Sequence, residues 1–159
     1  MNLAPKNVSE STIVMTELVL PHNTNQLGNL LGGQLMHWID ICAALSASKH
    51  SHRVCVTASV DRIDFHHPIK LANAVTLIGS VNRVFNTSME VGVKVFSESF
   101  LEGKRVHTNT AYLTFVSLDE NGNPVKANEV IPETEDEKRR YEEALQRRDA
   151  RLKEISVKP

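Results

Sequence analysis

The sequence has little cysteine, almost no net charge and no long apolar run, and each scarcity removes a class of function. Only two cysteines occur, Cys42 and Cys55, both in apolar segments and too far apart for a CxxC pair. They read as buried, reduced thiols of a cytosolic chain, not as a disulfide framework. Eighteen basic residues against nineteen acidic ones leave a formal net charge of -1, which argues against nucleic acid as a partner. No segment is long and apolar enough to cross a bilayer, so no membrane partner is expected. The opening MNLAPKNVSEST lacks the charged start and apolar core of a secretory signal, and a cytoplasmic location follows as an expectation.

Several catalytic signatures are missing as well. There is no GxSxG elbow for a Ser-His-Asp triad. The glycines at 28, 32 and 33 are not followed by the Lys-Ser/Thr of a phosphate-binding loop. Seven histidines occur (22, 37, 50, 52, 66, 67 and 107), but none has a His or Cys partner at i,i+4 spacing, so no metal is expected. Lys49, His50, His52 and Arg53 suit surface and capping roles at the negative C-terminal end of a helix. Internal repeats and low-complexity tracts are absent.

What remains is an ordinary globular composition, 41% apolar and 23% charged over 159 residues, which fits one domain over 1–159 with a single core. Residues 12–20 alternate loosely as a first strand, closed by Pro21 and an Asn- and Gly-rich loop. From Gly33 to about Lys49 the pattern is helical. Leu35, Trp38, Ile39, Cys42 and Leu45 form a bulky stripe opposite a face of Gly33, His37, Asp40, Ala44 and Ala47. That second face has no Lys, Arg or Glu and suits close approach by a backbone, a subunit or a ligand.

Four strands then follow, over 54–65, 74–85, 88–96 and 106–118. The second and third are joined by a tight hairpin, and DENGNP (119–124) turns the chain after the last. The first of the four places Val54, Val56, Ala58 and Val60 on one face. Short connections imply a largely antiparallel sheet wrapped on one helix, an α+β arrangement with its core at about 12–131. A charged C-terminal helix is expected over about 133–155, opened by a Thr134–Glu137 capping box. Tyr141, Leu145, Leu152 and Ile155 give it a narrow apolar edge.

The chemistry concentrates in GNLLGGQLMHWID (28–40). A helix N-terminus offers unpaired N–H groups, and Gly32 and Gly33 would let a carbonyl come close to them as its oxyanion develops. Asp40 lies seven residues after Gly33, on the same face and about 10.5 Å further along the axis. Its carboxylate could act on that carbonyl as a general base for water or as a nucleophile.

Five segments, GNLLGGQLMHWID, VTASVDRIDFHHP, NTSMEVGVKV, TAYLTFVSLDENG and PETEDEKRRYEEA, together resemble the hotdog-fold acyl-CoA thioesterases, in their cytosolic and bacterial short-chain acyl-CoA hydrolase branch. The resemblance spans residues 12 to 145. It implies a hotdog fold and hydrolysis of acyl-CoA to free fatty acid and coenzyme A, with coenzyme A only as part of substrate and product and no other cofactor. It implies a homo-oligomer in which dimers extend the sheet and assemble as a trimer of dimers. It also implies a catalytic pair, mapped onto Asn29 and Asp40, with one member from each subunit. Phe65 and Ser88 become candidates for binding coenzyme A, and Arg62, Lys94, Lys104 or Arg105 for meeting its phosphates. Two rival readings share the fold. One is a dehydratase or isomerase using His37 beside Asp40; the other is a non-catalytic acyl-CoA or nucleotide sensor.

Overall fold

The computed structural model describes residues 3–157. In chain order the elements are β1 (Lys6–Asn7), β2 (Ile13–Leu18), α1 (Gly32–Ser51), β3 (Val54–Val60), β4 (Ala74–Val84), β5 (Ser88–Ser99), β6 (Lys104–Leu118), β7 (Val130–Ile131) and α2 (Glu135–Val157). Strands β2-β4-β5-β6-β3 form one antiparallel sheet in that spatial order. This is the helix-in-sheet arrangement expected from the sequence, together with the charged C-terminal helix. The parallel pairing of β1 with β7 was not foreseen, because two-residue strands carry no periodic signal.

Helix α1 lies on the concave face of the sheet. Trp38, Ile39, Cys42 and Ala43 pack with Leu77, Val93, Leu113 and Phe115, all buried. The approach is close at one point, where a Cβ on Gly79 of β4 would stand 3.0 Å from Cys42 Sγ. Burial holds the Cys42 thiol protonated, with its pKa pushed up to about 11, and both cysteines are free thiols. Cys55 is only half-buried, its sulfur 3.2 Å from Ser51 Oγ.

The buried arc of α1 is rotated from the expected stripe. Leu45 is exposed, whereas Ala47, placed on the opposite face by the pattern, is fully buried. The sheet wraps about half the helix, so the arc widens to take in Ser46 and His50. Each makes one side-chain hydrogen bond to a carbonyl outside the helix. Ser46 Oγ donates to the Ser11 carbonyl at 2.8 Å, and His50 Nε2 donates to the Asn128 carbonyl at 2.8 Å. His50 is therefore a core residue and not the surface group that its position near the helix end suggested.

Two strand expectations also change. β3 ends at Val60, well before Phe65. After the Asp61 N–H donates to the Tyr112 carbonyl, the chain leaves the ladder, and Asn109 Nδ2 holds the Asp64 carbonyl at 2.5 Å. β3 is an edge strand, and Val54, Val56, Ala58 and Val60, although all exposed, do not share one face. A bulge between Thr57 and Ser59 leaves Val54 and Val56 opposite Leu118 and Val116 but sets Val60 opposite Leu113, on the other face of the sheet.

The capping box at Thr134 forms as read: the Glu137 N–H donates to Thr134 Oγ1, and the Thr134 N–H donates to Glu137 Oε2, both at 3.1 Å. Helix α2 then lies across the convex face of the sheet. It is fixed there by Arg147, which bonds both carboxylate oxygens of fully buried Glu90 and stacks 3.6 Å above the Tyr112 ring.

Candidate active site

The loop leading into α1 is built by asparagines. Buried Asn23 accepts the Leu20 N–H through Oδ1, and its carbonyl accepts the Leu31 N–H. Asn25 Oδ1 accepts the N–H groups of Leu27 at 2.9 Å and Asn29 at 3.2 Å, and the Asn25 N–H donates to the Asn29 carbonyl. Gly28 closes this turn with φ +73°, a conformation that glycine adopts without strain. The Leu30 N–H then donates to the Ile69 carbonyl, and the Leu71 N–H to that of Gly28, tying the loop to the segment before β4.

Helix α1 begins without a side-chain cap, because its cap residue is Leu31. Among the described residues, the Gly32 and Gly33 N–H groups bond to nothing in the chain. Neither glycine is required by its surroundings. Both have ordinary negative φ, a Cβ on Gly33 would meet nothing within 4 Å, and one on Gly32 would only touch the Phe65 ring at 3.8 Å. Both glycines are exposed, so the helix start is open to a group approaching from outside the chain. A cleft of about 210 Å³ opens there, lined by Asn25, Asn29, Gly32, Leu35, Phe65 and His67.

The structure thus brings together Asn29, Gly32 and Phe65 from the sequence-derived set. Asp40 stands two helical turns further on, half-buried at the margin of the wrapped arc. Its Oδ1 accepts the Thr57 hydroxyl of β3 at 2.7 Å, and its Oδ2 makes no hydrogen bond among the described residues. Thr57 was missed in the sequence, where a threonine in a strand carries no signal of its own. Asn25 was also passed over; the clue was an Asx turn, whose oxygen is held by the backbone while its amide nitrogen has no partner among the described residues.

Ser88 lies elsewhere. It pairs with Val116 at the β4–β5 hairpin, the end of the sheet away from Ala74 and the start of α1, so a single chain does not join it to Phe65. His37 is exposed and makes no hydrogen bond among the described residues.

The basic candidates divide. Arg62 is bonded to Asp64, Lys94 lies 3.8 Å from Asp136, and Arg105 stacks on Phe96. Lys104 faces a second cleft, about 250 Å³, together with Lys70 and His67, and this cleft shares His67 and Pro68 with the first. No cluster of three or more His, Cys, Asp or Glu side chains suited to a metal occurs among the described residues.

Comparison with known proteins gives the family. The Thioesterase superfamily model matches residues 27–103. The uncharacterized acyl-CoA thioester hydrolase YkhA of Bacillus subtilis is 45% identical over 89% of this chain and 83% of its own length. Mouse acyl-coenzyme A thioesterase 11 is 46% identical over 88% of this chain, which spans only 23% of that longer protein. Among solved structures, a hexameric acyl-CoA thioesterase superposes with a TM-score of 0.93 at 41% identity, covering 97% of this chain and 99% of that one. The acyl-CoA hydrolase of Staphylococcus aureus, solved with butyryl coenzyme A, coenzyme A and coenzyme A disulfide, gives 0.87 at 36% identity over 96% and 95% of the two chains. Alanine variants of that enzyme have been solved at an aspartate, at a threonine seventeen residues after it, and at an asparagine fifteen residues before it, the last with coenzyme A. The chain belongs to the hotdog-fold thioesterase superfamily, in its acyl-CoA hydrolase branch.

Proposed function

We propose that this chain hydrolyses acyl-CoA thioesters at a site completed by two subunits, in a reaction that needs no cofactor beyond the coenzyme A of its substrate. One observation carries the reading. Asp40 has Thr57 seventeen residues after it, bonded to its carboxylate, and Asn25 fifteen residues before it. The same three residue types at the same spacing were the ones replaced in the Staphylococcus aureus acyl-CoA hydrolase. In this reading the amide role belongs to Asn25 in place of Asn29. The physical argument agrees, since Asn25 Oδ1 is pinned by two N–H groups and its Nδ2 is presented as a fixed donor. Asn29 then supports the loop through its backbone and lines the same cleft.

The thioester carbonyl oxygen accepts the unbonded Gly32 and Gly33 N–H groups at the positive end of α1. Asp40, oriented by Thr57, takes a proton from water as the water oxygen attacks the carbonyl carbon. The C–S bond then breaks, the electron pair leaves on sulfur, and the proton held by Asp40 passes to the thiolate to give coenzyme A and the free acid. A thiolate leaves readily, so no Ser-His-Asp triad is needed. The cleft with Lys70 and Lys104 provides positive charge for the coenzyme A phosphates beside that of Phe65.

Within one chain, Gly32 and Asp40 are separated by roughly 12 Å of helix axis. The loop of one subunit and the aspartate of its partner therefore form each site. The open edge of β3, with exposed Val54, Val56 and Val60, is the surface on which a second copy extends the sheet. Three such dimers would give the assembly for which the hexameric relative is a precedent. The chain would work as one domain in the cytoplasm. Thiol release from a panel of saturated acyl-CoAs tests the function. Steady release supports hydrolysis, whereas unchanged substrate would return the site to the dehydratase or sensor readings.

A further inference from the structure

Helix α2 crosses the convex face of the sheet strand by strand. The Tyr141 ring lies under Arg83 of β4, Arg147 grips Glu90 of β5 over Tyr112 of β6, and Arg151 bonds both carboxylate oxygens of Asp61, just past β3. The spacing agrees with this path. Ten residues of helix advance about 15 Å, and three strand separations amount to about 14 Å. Arg151 thus marks the edge of the sheet, yet α2 continues to Val157, a further length of about 9 Å or nearly two strand widths.

The overhang is apolar on its sheet-facing side. Tyr141, Ala144, Arg148, Arg151 and Ile155 follow one another at steps of three and four, so Ile155 extends the stripe that docks the helix. Ala144 on that stripe is fully buried, but Ile155 is 68% exposed, and its neighbour Leu152 is at 50%. These side chains face a plane in which their own sheet has no strand left.

We infer that this overhang clasps a second copy of the chain, packing Leu152 and Ile155 on Val54 and Val56 of the partner subunit. The inference rests on the proposed dimer through β3. Val54 and Val56 pair with Leu118 and Val116 of β6, which share a face with Tyr112, so they point to the side on which α2 lies. Both are exposed, Val54 at 67%. In an antiparallel β3–β3 pair centred on the middle of the strand, the partner's Val54 and Val56 come into line with Val60 and its neighbours. The overhang crosses the sheet edge beside that row. A second copy supplies both the missing strands and their apolar cover.

Two thiol reporters and a short bis-maleimide separate the clasp from the dimer beneath it. Ala58→Cys subunits cross-link to each other if β3 edges meet, and Ile155→Cys mixed with Val56→Cys cross-links only if the overhang reaches its target. The wild-type chain, with Cys42 buried and Cys55 half-buried, sets the background. Both cross-links are expected. The first without the second overturns the clasp, and the absence of both removes the β3 dimer and the clasp together. In the full chain, Leu152→Glu with Ile155→Glu should raise the dimer dissociation constant on the order of tenfold or more. The activity of each dimer that remains should be unchanged. An unaltered dissociation constant also overturns the clasp.

Discussion

Asp40 and the two glycines before it make opposite demands on the same helix, and single substitutions separate them. Asp40→Asn keeps the bond from Thr57 but removes the base, so kcat should fall on the order of a hundredfold or more with the melting temperature held. Near-wild-type turnover would remove Asp40 from the mechanism. Gly33→Ala should do the reverse to stability. Its Cβ meets nothing within the chain and alanine is the better helix former, so the fold should hold or gain slightly. If the glycine clears room for a carbonyl, kcat/KM should nevertheless drop about tenfold.

His50 offers a test away from the site. Burial lowers its pKa below the ordinary 6.5, and its Nδ1 is buried without a partner among the described residues. Above that value the imidazole is neutral in both the folded and unfolded chain. Below it, only the unfolded chain takes up the proton, so stability is full at neutral pH and is lost as pH falls. Melting temperatures between about pH 7.5 and 5.5 should show this decline, and His50→Gln should flatten it.

At the scale of elements, α1, the four following strands and the capped α2 were legible because each is long enough to repeat its hydrophobic period. The rotation of α1 was not legible, because period alone says that a stripe exists and not how much of the helix the sheet will wrap. Leu45 and Ala47 exchanged roles for that reason. Asp40 was readable as an isolated carboxylate on a helix of small companions. Thr57 was not, since its meaning depends on a contact between two elements. Asn25 and Asn29 stand four residues apart in one loop, and only the hydrogen bonds show which amide is held rigid. The fixing of α2 rests on an ion pair that charge patterning hid among many surface charges. Arg147→Ala would leave the Glu90 carboxylate buried with the Asn82 amide but without its counter-charge, with a loss of about 3 kcal/mol in chemical denaturation. Adding Glu90→Gln should recover part of that loss; full additivity would mean that the pair is not coupled.

At the scale of the whole molecule, the reading depends on a site that no single chain completes. Asn25 Nδ2 and the Gly32 and Gly33 N–H groups lie at one end of α1, and Asp40 with Thr57 lies two turns away. The most direct measurement therefore mixes two inactive variants. Asn25→Asp keeps the oxygen that holds the loop and removes the amide donors, and Asp40→Asn removes the base. Each should be nearly inactive alone. Refolded together in equal amounts, about half of the dimers are mixed, and each mixed dimer carries one intact site of two. The account predicts that about a quarter of wild-type thioesterase activity returns. A mixture as inactive as its parents, with mixed dimers confirmed by native mass spectrometry, would contradict it.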